Sequence, residues 1–145
     1  MNHSAAQVLK QYLIDIGYFE DDLGDDWAIF VGSLPDKPYR AAAVYDTAGL
    51  LDGRIQSSGE AIIHHGVQLR VRSDSYNVGW VKIHDAGVAL SAAQNATVVL
   101  GTSTYTINNI TTASSIVSLG PEEGSTRNVG FTSNFILTIT LDDES

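Results

Sequence analysis

Few side chains in this sequence are spaced to do chemistry, and they are best weighed one group at a time. His64 and His65 are adjacent in a segment that reads as the start of a strand. Neighbouring strand residues point to opposite faces, so the pair is a poor chelate. His84 falls on a helical pattern with no histidine one turn away, and His3 lies near an end expected to be loose. The acids Asp21, Asp22, Asp25 and Asp26 lack the spacing of a calcium-binding loop and its bidentate glutamate. Asp46 and Asp52 are conceivable as paired carboxylates, but two acids in a Gly-rich stretch are ordinary loop composition. No phosphate-binding loop, nucleophile elbow or dinucleotide fingerprint occurs. The chain has no cysteine, which excludes disulfides, thiolate metal sites and cysteine nucleophiles. No cofactor is expected.

Arg70 and Arg72 remain. They stand in Val67-Gln68-Leu69-Arg70-Val71-Arg72, a strict alternation that sends three apolar side chains one way and the arginines the other. In a chain of net charge −9 such a cationic strand face reads as a contact to acidic neighbours, within the subunit or across an interface, with a phosphate contact as the lesser alternative. The acidic balance argues against tight binding of nucleic acid. It suits solubility alone, or a surface past which DNA slides without sticking.

The elements that must position these residues follow from periodicity. At 145 residues the chain is expected to form one domain. Its start has neither the basic nor the apolar region of a secretory signal, and no run approaches a membrane span. Ser4-Ala5-Ala6-Gln7 has the pattern of a capping box, Val8, Leu9, Tyr12, Leu13 and Ile16 follow at helical spacing, and Gly17 stands at the stop. After the acidic connector, Trp27–Val31 and Ala41–Asp46 read as two strands, with no long crossover between them, so a hairpin is predicted. Thr47–Ala61 is rich in Gly, Ser and Asp and reads as a flexible loop.

A second helix is predicted from Tyr76 to about Gln94. Trp80, Ile83, Gly87 and Leu90 share one face, with Val78, Val81, Val88 and Ala92 on an adjoining one. Gly87 and its alanine neighbours make a low-profile surface for another backbone. Thr97–Leu100 and Thr104–Ile107 flank a Gly101 turn, Gly120–Gly124 reads as a further turn, and Phe131–Leu141 alternates over a span of about 37 Å. So long a strand must bend across the sheet or run past the domain. Asp142–Ser145 reads as a solvated acidic tail. The predicted class is α+β: a mainly antiparallel sheet with two helices packed on one face.

The order and spacing of several short segments resemble the minor capsid or tail-terminator proteins of long-tailed bacteriophages. They are Tyr12-Leu13 and Gly17, Phe30–Asp36, Ala43–Gly49, Val67–Arg72, Tyr76, Leu100–Tyr105, Leu119-Gly120 and Phe131–Phe135. The likeness covers roughly residues 5–141 and departs locally: the second helix, usually rich in charge, is here rich in Ala, Gly and Val. The resemblance implies a structural virion protein without catalysis, placed at the neck and assembled in the host cytoplasm. Its copies would form a homo-oligomer, usually a hexameric ring, that ends tail-tube polymerisation. The ring would touch the tail-tube protein on one side and the head–tail connector on the other, with genomic DNA passing through its lumen. Candidate subunit or partner contacts are Asp46, Arg70, Arg72, Tyr76, Trp80, Gly87, Thr132 and Asn134. A head-side neck protein (a stopper or head-completion subunit) is the nearest alternative, and a small enzyme or ligand-binding domain a more distant one.

Overall fold

The computed structural model describes residues 3–21, 24, 26–55, 60–121 and 128–143, of which 49–55, 60–63, 121 and 141–143 are described as backbone alone. The order is α1 (Ala5–Asp15), β1 (Ala28–Val31), β2 (Ala41–Ile55), β3 (Glu60–Ser73), α2 (Tyr76–Ser91), β4 (Gln94–Leu100), β5 (Ser103–Thr112), β6 (Val117–Pro121) and β7 (Val129–Asp143). The strands form one sheet, β1-β2-β3-β7-β5-β4, with β6 also on β7. The α+β class is as expected, but the sheet is mixed, because β1 pairs parallel to β2.

The first helix is closed at both ends as its sequence requires. The Gln7 N–H donates to Ser4 Oγ at 3.2 Å, and the Ser4 N–H donates to Gln7 Oε1 at 2.7 Å. At the far end Gly17 takes φ +82°; its N–H donates to the Ile14 carbonyl and that of Tyr18 to the Leu13 carbonyl. Those two bonds satisfy carbonyls that the last turn would otherwise leave orphaned.

Strand β3 keeps the alternation of its sequence. Val67, Leu69 and Val71 are fully buried and stand in register beside Phe135, Ser133 and Phe131 of β7 and Asp46, Val44 and Ala42 of β2. This inner face meets the buried residues of both helices, Val8, Leu9 and Leu13 from α1 and Ile83, Ala86 and Leu90 from α2, in one apolar cluster. Both helices therefore lie on one face of the sheet. Strand β7 is long because it is a shared spine. On one edge it pairs with β3 from Val129 to Thr138; on the other it takes β6 near Thr132 and β5 from Phe135 onward.

Four expectations are corrected. The first two strands are parallel neighbours rather than a hairpin. Parallel strands usually need a dozen or more connecting residues. Here β1 has only four residues, about 13 Å, and the nine residues 32–40 can span about 30 Å, enough to return to its start. Thr47–Ala61 is not an irregular loop: its described backbone continues β2 and β3, with Ile55 opposite Glu60, and bulges at Thr47/Leu50 and Leu51/Arg54 disrupt the period that would have revealed strands. Residues 56–59 lie outside the described ones. Gly120 and Pro121 end strand β6 rather than opening a turn, so four strands, not three, follow the second helix; residues 122–127 lie outside the described ones. Helix α2 stops at Ser91, since Gln94 already pairs with Asn109.

Candidate functional site

Helix α2 presents the principal unpartnered apolar surface among the described residues. Ten large hydrophobic residues are exposed there, and five of them, Tyr76, Val78, Trp80, Val81 and Val88, belong to this helix. Its inward stripe is Gly79, Ile83, Ala86 and Leu90. The outward ridge carries Val81, 50% exposed, and Val88, 60% exposed, two turns apart. Of the predicted shared face Trp80, Ile83, Gly87 and Leu90, Ile83 and Leu90 are fully buried while Trp80 is 40% exposed. The signal that was missed is Gly79: a Cβ there would stand 2.9 Å from both Phe131 Cε2 and Ser73 Cβ, so only glycine lets the helix lie this close to the sheet.

Two flanks border the ridge. On one, the Tyr76 ring meets Phe131 edge-on at 5.1 Å, and Trp80 stacks on His84 at 4.7 Å and 12°. A groove of about 380 Å³ runs here between α2 and the turn joining β5 to β6, with Phe135, Gly87 and Val88 on its apolar walls and Ser114 and Ser115 on its rim. Ser114 holds that turn against β7: the Asn134 N–H donates to Ser114 Oγ at 3.0 Å, and the Ala113 N–H donates to the Asn134 carbonyl at 2.7 Å. On the other flank, Lys82 reaches into rings of the connector between α1 and β1.

The predicted contact residues are not gathered at one place. Tyr76, Trp80 and Gly87 lie on α2. Arg70, Thr132 and Asn134 lie on the sheet's other face, where Arg70 stands opposite Thr132 and Asn134 accepts a hydrogen bond from Gln68 Nε2 at 3.2 Å. Asp46 is exposed and fastens the first turn of α1, its Oδ1 accepting from the Ala6 N–H at 3.0 Å. Arg72, by contrast, is buried and only 5% exposed. Its Nη2 donates to the Pro38 carbonyl at 2.6 Å and its Nε to the Tyr39 carbonyl at 3.2 Å. It clasps the segment that returns from β1 to β2.

The histidines have separate surroundings. His3 is docked rather than loose, its Nδ1 lying 2.8 Å from the buried Tyr105 hydroxyl. His64 Nδ1 lies 2.7 Å from Thr138 Oγ1. Burial lowers the His65 pKa below its ordinary 6.5, with Asp46 acting in the opposite sense. The folded chain therefore holds His65 neutral where the unfolded chain would bind a proton. That stability is present above pH 6.5 and is lost as the pH falls through the folded pKa. Thermal melts are expected to show a lower midpoint at pH 5.5 than at 7.5, and His65→Gln should flatten the difference. Asp46→Ala should cost about 1 kcal/mol in chemical denaturation, the usual loss for a helix cap.

Among the described residues, no three His, Cys, Asp or Glu side chains gather in a group that could hold a metal ion. No helix among them is long and apolar enough to cross a membrane. No protein-family model and no curated protein matches the chain.

Proposed function

We propose that this chain is a structural virion protein, a tail terminator whose copies close into a ring on the end of the tail tube and receive the head connector. The observation that supports this reading is the exposed apolar ridge of α2, Val81 and Val88, with a differently built polar face, bearing the half-buried Arg70 and Asn134, across the same sheet. A head-to-tail ring needs two unlike surfaces on opposite sides of each subunit, and its rotation must close. The ridge of one copy against the polar sheet face of the next meets the first requirement.

The reading is tested by imaging particles produced without the protein. Overlong or unattached tails are the expected result. Heads that leak DNA would assign the chain to the head side of the neck instead, and normal particles would remove it from both roles. At the level of residues, Val81→Asp with Val88→Asp should leave the far-ultraviolet dichroism unchanged, because both side chains point outward. The double variant should weaken ring assembly on tubes roughly a thousandfold, two losses of about 2 kcal/mol each. Sedimentation of purified tubes with each protein measures it.

A further inference from the structure

The Lys82 flank of α2 has a construction that neither the core nor the ring explains. The Lys82 ammonium lies 4.8 Å from the centroid of the Phe19 ring, 5.1 Å from that of Trp27 and 5.7 Å from that of Tyr18. Phe19 and Trp27 meet edge-on at 6.2 Å, which fixes the angle between two walls of this cage. Trp27 takes φ +55°, a conformation that bulky residues seldom adopt. It is held there by its N–H donating to the Arg40 carbonyl at 2.7 Å and by its carbonyl accepting from the Glu20 N–H at 2.9 Å. Strained backbone pinned in this way concentrates where a side chain must be aimed.

Two hollows meet at Lys82 and share Tyr18 and Trp27. One, about 220 Å³, carries Glu20 and Asp26 on its wall. The other, about 390 Å³, runs along Val78 and Val81 to Asp85. The surface thus joins aromatic faces, which attract cations, with acids on both sides and an exposed apolar strip. Burial lowers the Lys82 pKa, while Asp26 and Asp85 act to raise it, so the resident ammonium is partly stripped of water in the cage. Asp85 is three residues on along the same helix, within reach of a lysine that leaves the rings.

We propose that the Tyr18–Phe19–Trp27 cage is a docking site for a basic side chain carried on an apolar segment of a different polypeptide, with Lys82 as a resident placeholder that moves to Asp85 on binding. The partner is sought on another polypeptide because the acids Glu20, Asp26 and Asp85 border the rings and match a basic segment, of which this chain, with 17 acidic against eight basic residues, has few. The incoming cation replaces the ammonium over the rings, and its apolar neighbours cover Val78.

The test uses the isolated full chain, so its outcome is separate from that of the ring. Nitrogen-15-labelled protein is titrated with capped pentapeptides that alternate leucine with arginine, glutamine or glutamate. The arginine peptide is expected to shift the Trp27 indole and the Lys82 and Asp85 amides, with an affinity that falls as salt rises. Lys82→Met should tighten that binding about tenfold and Tyr18→Leu should weaken it by a similar factor, the scale of one cation–ring contact. Asp85→Asn should weaken it as well. Equal shifts from the glutamine peptide, or an arginine affinity unmoved by Lys82→Met and Tyr18→Leu in folded protein, would overturn the proposal.

Discussion

Gly79→Ala is expected to lower the unfolding free energy by about 1–3 kcal/mol, the range for inserting a methyl group into packed surroundings. The added carbon would meet Phe131 Cε2 and Ser73 Cβ at 2.9 Å. Neither can yield easily. Phe131 is fully buried in β7 and already in edge contact with Tyr76, and Ser73 is fully buried at the end of β3. The helix would have to lift, opening Ile83 and Leu90 below it. Gly87→Ala, two turns on, should have the opposite sign. Its added carbon would lie 3.8 Å from Phe135 Cζ, an ordinary contact, and alanine is preferred over glycine inside a helix by about 1 kcal/mol. Urea denaturation of the two variants measures both. A pair of equal penalties would mean that helix propensity and packing had been assigned to the wrong glycines.

Arg72→Ala should cost about 3 kcal/mol or more. Two hydrogen bonds from a charged donor are lost, each worth about 1.5–3 kcal/mol, and the Pro38 and Tyr39 carbonyls lose their guanidinium partner. The loss should be local in its structural effect. The segment 32–40 is what brings β2 alongside β1, so protease cleavage within it should accelerate while the β3–β7 pairing persists. Arg72→Lys should recover only part of the stability, because a single ammonium cannot reproduce the fork that meets two carbonyls. Arg70→Ala, on the same strand face but half-exposed, should cost less. Denaturation midpoints for the three variants decide the order.

These two residues also mark what could be read from the sequence. The alternation Val67, Leu69, Val71 and the caps Ser4, Gln7 and Gly17 were legible because each depends on neighbours a few positions away. Gly79 was not: a glycine in a helix reads as a propensity penalty until Phe131, far along the chain, is seen beneath it. Arg72 read as surface charge because the alternation tells which way a side chain points and not what covers it. The parallel pairing of β1 was hidden for the same reason, since it depends on the path that Arg72 fixes. The predicted contacts were split between α2 and the opposite sheet face, because a linear pattern carries no information on which side of a sheet a distant helix will lie. Lys82 had a faint signal, a lone lysine in an apolar helix with Tyr18, Phe19 and Trp27 upstream. It became legible only when the connector folded over it.

The chain has only two tryptophans, and they stand on the two flanks of α2: Trp27 beside Lys82 and Trp80 against His84. The helix is therefore optically tagged by the protein itself. Anything that covers α2 must dry at least one indole and move its emission to shorter wavelength. A partner that settles on the Arg70–Asn134 side of the sheet leaves both indoles in their present surroundings and the spectrum still. Unlabelled protein in a fluorimeter can thus report which of its faces has been taken.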